Sequence, residues 1–206
     1  MDWENNWEKI SPISPLIDTR LLNASEFIDS QTNKKMIVVE RGQYDSELRA
    51  YEELKRRGFP LFDKDYDQDT ITYYIPPGTE TIKSYIPKII ENIEKEYAPN
   101  GSSELFLPFY ELGKLLRHMS DYGVKFQRGS NILEKIAISP DYSGRYGLQN
   151  FLIPPLNVSF GPKNFTDLDN CFSELRGLRL RRVDHDYLVN SLMSGFMDQY
   201  GQASSE

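Results

Sequence analysis

The run Pro76-Pro77-Gly78 constrains this chain most, because the hydrophobic pattern changes period across it. Two prolines without an N–H and a glycine free in φ let neither a helix nor a strand continue through it. Upstream, Lys34–Gly42 (KKMIVVERG) carries Ile37, Val38 and Val39 and predicts a strand. Tyr44–Pro60 (YDSELRAYEELKRRGFP) predicts a helix: Asp45 or Ser46 can cap it, Leu48, Tyr51, Glu52 and Leu54 keep helical spacing, and Gly58 with Pro60 ends it. Leu61–Gly78 predicts two strands around the acidic turn Asp63–Asp69 (DKDYDQD).

Downstream the pattern turns helical. Thr81–Tyr97 is amphipathic, with Pro87 restarting or kinking the helix, and Ser102–Val124 is a long apolar-periodic helix closed by Gly123. Asn131–Ser139 and Leu148–Phe160 predict a strand pair, followed by helices at Asn164–Leu178 and Asp184–Gly201. Residues 1–20, with Pro12 and Pro15, predict an extended arm with one helical turn, anchored by Trp3 and Trp7. The expected organisation is therefore α+β: an arm at 1–20, a β-rich N-lobe at 21–78, a helical C-lobe with a small hairpin at 79–201, and a disordered tail at 202–206.

Composition excludes several classes. At 206 residues, 39% hydrophobic and 13% aromatic, the chain can bury a sizeable core. No apolar run approaches the roughly 20 residues that span a bilayer, and MDWENNWEKISP lacks the basic and apolar blocks of a signal peptide. The single cysteine, Cys171, rules out an intramolecular disulfide and a cysteine-based zinc cluster, and a reducing, cytoplasmic setting follows as the expectation. The net charge of −7 speaks against nucleic acid as a partner. Within that acidic balance, Leu175–His185 concentrates Arg176, Arg179, Arg181 and Arg182. The cluster is either a solvated face paired with neighbouring acids or a patch for an acidic partner or a phosphate.

Four stretches, in order, resemble the protein-kinase-like fold, most of all its compact RIO-type, KEOPS-kinase and lipopolysaccharide-kinase members. IVVERGQYDSELRAYEELKRRGFP resembles the lysine-bearing strand and the helix after it, and TITYYIPPGTETIKSYI the fifth strand and hinge. ELGKLLRHMSDYGVKFQRGSNIL resembles the central helix running into the catalytic loop, and NFTDLDNCFSELRG with LVNSLMSGFMDQYG the last helices of a reduced C-lobe. The resemblance implies a two-lobed fold and a phosphate site under a glycine-rich loop, yet no glycine precedes Gly42.

Carried over residue by residue, the site is degenerate. Glu40 stands where the strand lysine would, and Arg41 would point to the other face of that strand. Glu47 matches the helix glutamate that orients the lysine, or else is an exposed helix acid. Asn131 matches the metal-binding asparagine, but Phe126 stands where the proton-accepting aspartate belongs, and a phenyl ring accepts no proton. Pro154 falls at the metal-binding aspartate, and Tyr142–Thr166 contains no Asp or Glu that could supply a magnesium oxygen.

Other chemistry has thinner support. His118, near Asp121, reads as a base or as a helix-end histidine facing the dipole. Asp184-His185-Asp186 reads as metal ligands or as a cap for the last helix. Cys171, beside Phe172, reads as a buried inert thiol. The Asp63–Asp69 loop lacks the glycine and terminal glutamate of an EF-hand loop.

The expectation is a non-catalytic, pseudokinase-like protein that binds a protein partner as a regulatory or scaffold module. It would use the altered cleft with Arg128, or the Arg176–Arg182 patch, and hold no cofactor or metal. The alternative is an atypical phosphotransferase handling ATP and magnesium through relocated groups such as Lys125, Arg128, Asn131 and Asp141. With 13 tyrosines and 11 phenylalanines a homo-oligomer is also open, and no membrane partner is expected.

Overall fold

A computed structural model describes residues 7–9, 24–29, 35–40, 44–67, 70–95, 107–127, 129–139 and 149–198. Its strands are β1 (Trp7–Lys9), β2 (Ala24–Asp29), β3 (Lys35–Glu40), β4 (Lys64–Tyr66), β5 (Thr70–Ile75), β6 (Glu80–Thr81), β7 (Val124–Phe126), β8 (Ile136–Ser139), β9 (Gln149–Leu152) and β10 (Val158–Phe160). Its helices are α1 (Tyr44–Arg56), α2 (Ile82–Lys95), α3 (Leu107–Asp121), α4 (Ile132–Lys135), α5 (Thr166–Gly177) and α6 (Arg182–Met197). The architecture is α+β.

Before the Pro76–Gly78 turn the strands form one antiparallel sheet, in the order β1-β2-β3-β5-β4. β5 alternates as a half-buried strand should, placing Ile71, Tyr73 and Ile75 inward. The helix α1 lays Ala50, Tyr51 and Leu54 on the same core and stops at Gly58, whose φ of +77° only glycine adopts without strain. Asp45 and Ser46 are not its cap; both lie exposed inside its first turn, because the helix already begins at Tyr44. The acidic turn is held by Asp67, whose carboxylate accepts from the Thr70 N–H at 2.8 Å and the Thr70 hydroxyl at 3.0 Å. Lys64 lies between the Tyr51 and Tyr66 rings, 4.4 and 4.5 Å from their centroids, with Glu52 at 3.3 Å.

Four strands, β1, β2, β6 and β7, have no counterpart in the sequence reading. Within the arm expected to be extended, Trp7–Lys9 forms the edge strand β1, and β2 pairs with β3 although Ala24–Asp29 carries three polar residues among its six. Trp3 and the tail at 202–206 lie outside the described residues.

After the connector, α2 runs as one helix through the exposed Pro87, so the proline does not restart it. The expected hairpin is part of a three-stranded sheet, β6-β8-β9. Its first half differs from expectation: Ile132–Lys135 is one turn of helix, and the strand begins only at Ile136. A cis Pro154–Pro155 bond follows β9, and β10 then pairs with β7 in a separate two-stranded ribbon.

The helices α3 and α6 cross antiparallel at backbone contact. A Cβ on Gly113 would lie 2.0 Å from the Leu192 carbonyl oxygen, and one on Gly195 would lie 1.8 Å from that of Tyr110. The two glycines thus permit the approach that buries Leu112, Leu116, Leu188, Leu192 and Phe196. The core is continuous across the Pro76–Gly78 turn, from Ile37 and Leu54 to Phe109 and Leu192. Among the described residues no helix is long and apolar enough to cross a membrane.

The glycine crossing yields a test by thermal denaturation. Gly113→Ala or Gly195→Ala is expected to cost at least the roughly 1–3 kcal/mol typical of overpacking. Gly177→Ala, on α5 with no atom within 4 Å of the added Cβ, should hold or raise the midpoint.

Candidate functional site

Glu47 is buried on the first turn of α1, in a place where water cannot stabilise its charge. Its Oε1 accepts from the Tyr73 hydroxyl at 2.8 Å, and the Leu156 N–H lies 3.0 Å from Oε1 and 2.9 Å from Oε2. One carboxyl thus ties α1 and β5 to the segment after β9. The exposed-acid reading is overturned. Burial raises the Glu47 pKa above its ordinary value, against the lowering pull of Tyr73, Leu156 and the charge of Lys135. Burial also raises Tyr73, which donates to that carboxyl.

The cation that faces Glu47 comes from α4. Lys135 is half-buried, and its pKa is lowered by burial while Glu47 and Glu134 pull it up. One turn earlier, Asn131 precedes α4 without capping it, and its Oδ1 is buried with no hydrogen-bond partner. Glu40 ends β3 opposite Thr70 in the ladder. Pro154 is buried in the cis Pro154–Pro155 step.

Phe126 is the third residue of β7, and its ring is buried in the core. The segment from Phe126 to Leu133 is held from behind by α5. Asp167 Oδ2 accepts from the Phe126 N–H at 2.9 Å, and Glu174 accepts from the Ile132 and Leu133 N–H groups at 2.6 and 2.9 Å. The two acids are seven residues apart, which places them on one helix face two turns apart. Burial raises both pKa values, opposed by the backbone hydrogen bonds.

Sequence reasoning missed this pair. Asp167 stands one residue past the acid-free stretch that ends at Thr166, and only the packing of α5 under β7 brings it to Phe126. The available signal was two acids at i and i+7 flanking the apolar face that carries Cys171 and Leu175.

Among the described residues, Glu47, Asp167 and Glu174 are each committed to backbone N–H groups. Lys125 is exposed on β7, and Arg128 and Asp141 lie outside the described residues. Among the described residues no three His, Cys, Asp or Glu side chains converge as a metal site.

The remaining candidates resolve into structural roles. His118 Nε2 lies 2.9 Å from the Arg57 carbonyl oxygen, and the ring packs against Phe59 and Tyr122 with centroids 4.4 and 4.7 Å away. It joins the end of α1 to the end of α3. Asp184 does not cap α6, whose flanking residue is Arg181; it is buried in the first turn and accepts from the Arg181 Nε and Nη2 at 2.7 and 3.0 Å. Asp186 is exposed and does not cap it either, so Asp184 and Asp186 diverge rather than converge on one ion. Burial pushes the Cys171 thiol far up, in keeping with an inert side chain. Arg176, Arg179 and Arg182 are exposed.

Compared with protein-family models and with curated proteins, the chain matches none.

The raised Glu47 pKa gives a pH dependence with a definite sign. A carboxyl with a raised folded-state pKa contributes stability that is fully present below its unfolded value of 4.5 and is lost as pH rises through the folded value. Glu47→Gln keeps an acceptor for Tyr73 and Leu156 but does not titrate. The stability of the variant relative to the native chain should therefore rise with pH above 4.5 and then level off, in urea melts across the series. A difference flat with pH would contradict the assignment.

Proposed function

We propose that this chain is a non-catalytic, pseudokinase-like protein that works as a protein-binding regulatory or scaffold module. In this reading the sheet with α1 is a small N-lobe, Pro76–Gly78 is the hinge, and α2 to α6 form a reduced C-lobe. The observation that carries the proposal is the use of the acids. Phe126, where the resemblance puts the proton acceptor, is buried, and Glu47, Asp167 and Glu174 are spent on backbone N–H groups. Phosphoryl transfer needs carboxylate oxygens free to hold magnesium and to take a proton. A body whose buried acids are committed in this way still offers surfaces, among them the exposed arginines around the α5–α6 linker.

Thermal-shift titrations with ATP and ADP, each with and without magnesium, test the reading. Ligand binding to the native state raises the melting midpoint by mass action. Magnesium is expected to add nothing to either nucleotide's effect. A shift that requires both nucleotide and magnesium would overturn the proposal in favour of relocated catalytic groups.

A further inference from the structure

The ribbon of β7 and β10 has two outer edges, and its hydrogen-bond phase says which groups lie on each. The Gly161 N–H donates to the Gly123 carbonyl at 2.8 Å, and the Gln127 N–H to the Asn157 carbonyl at 2.9 Å. In a register that sets Val158 against Phe126, Ser159 against Lys125 and Phe160 against Val124, those bonds make Ser159 and Lys125 the hydrogen-bonded pair between them. Val158 and Phe160 therefore turn their N–H and C=O groups away from β7. On the β7 edge the same phase sends the Phe126 N–H outward, where Asp167 accepts it at 2.9 Å. The β10 edge has no such cover. β10 pairs with β7 alone, and among the described residues no donor or acceptor meets the outward groups of Val158 and Phe160.

This open edge is short and uncharged. Asn157, at φ +36°, leaves the extended conformation before it, and Pro162 has no N–H to offer beyond it. What remains is Val158-Ser159-Phe160, with Phe160 40% exposed although the Arg57 guanidinium lies 4.9 Å from its ring centroid. Three residues with outward groups on the first and third are complementary to themselves. When two such strands run antiparallel about a two-fold axis at Ser159, each Val158 faces Phe160 of the second copy, and each of these two pairs exchanges both backbone bonds. Each pair also sets a β-branched side chain against an aromatic one, a favourable cross-strand match. Ser159 meets only itself, so no charge is opposed.

We propose that the chain self-associates through β10, two copies joining their ribbons into one four-stranded antiparallel sheet. Three residues a side fall short of the roughly 20–30 a side of a stable interface, so the dimer is a reversible one that fills at high concentration.

Disulfide trapping tests the register. At the axis the two Ser159 Cα atoms would lie about 4.5 Å apart, within reach of a disulfide. The chain carrying Ser159→Cys is oxidised at high concentration beside one carrying Ser173→Cys, an exposed position on α5. Cys171 is buried and stays silent in both. Ser159→Cys is expected to give linked dimer about tenfold faster or more, because pairing raises the effective concentration of its thiols. By sedimentation equilibrium the native chain should gain dimer mass with concentration. Phe160→Pro, which removes an outward N–H and spares the bonds to β7, should stay monomeric. Equal trapping of the two cysteine variants would overturn the proposal. So would a native chain that remains monomeric up to about 1 mM, or a native dimer that Phe160→Pro leaves intact.

Discussion

A carboxyl buried without enough donors would push the fold open, and Glu47 is buried with two donor groups converging on it. That single side chain sits where three parts of the chain meet: the inner face of α1, the middle of β5, and the turn after β9. Around it the same junction is reinforced by smaller contacts. Leu61 bridges to Leu152, the Phe62 and Phe151 rings stack 4.9 Å apart, and His118 joins Arg57 to α3. These contacts let a five-stranded sheet and a helical array share one core across the Pro76–Gly78 turn.

A second use of carboxylates repeats the first. Asp167 and Glu174 hold the Phe126–Leu133 segment from α5, again by accepting from backbone N–H groups. Buried acids usually mark chemistry, because burial shifts their pKa values into a useful range. Here the same shifts arise from support of the backbone. Elsewhere close approach comes from glycine alone: Gly123, at φ +63°, could not bear a Cβ, which would lie 1.7 Å from the Gly161 carbonyl oxygen.

Local periodicity made much of this legible. The strand at Ile37–Val39, the helix ending at Gly58, the acidic hairpin and the last two helices all carry a strong repeat with a clear stop signal. Ala24–Asp29 does not, because Ser25, Glu26 and Asp29 dilute its apolar residues and pairing with β1 and β3 holds it as a strand. Asn131–Ser139 reads as a strand, yet Glu174 fixes its first turn as helix by engaging the Ile132 and Leu133 N–H groups. The acids of the candidate site were half legible. Glu47 could be picked out by its place in a strand-helix pattern. Asp167 and Glu174 could not, because their partners lie 41 or 42 residues away and are backbone atoms, which leave no side-chain signature.

The most direct test of this account is a carboxyl carbon-13 NMR titration of Glu47, followed together with the Leu156 amide proton. The account predicts that Glu47 titrates above the ordinary value of 4.5, and that the Leu156 amide shifts at the same pH because it donates to that carboxyl. A Glu47 that titrates near 4.5, with a Leu156 amide indifferent to it, would show a solvated side chain and would contradict the junction.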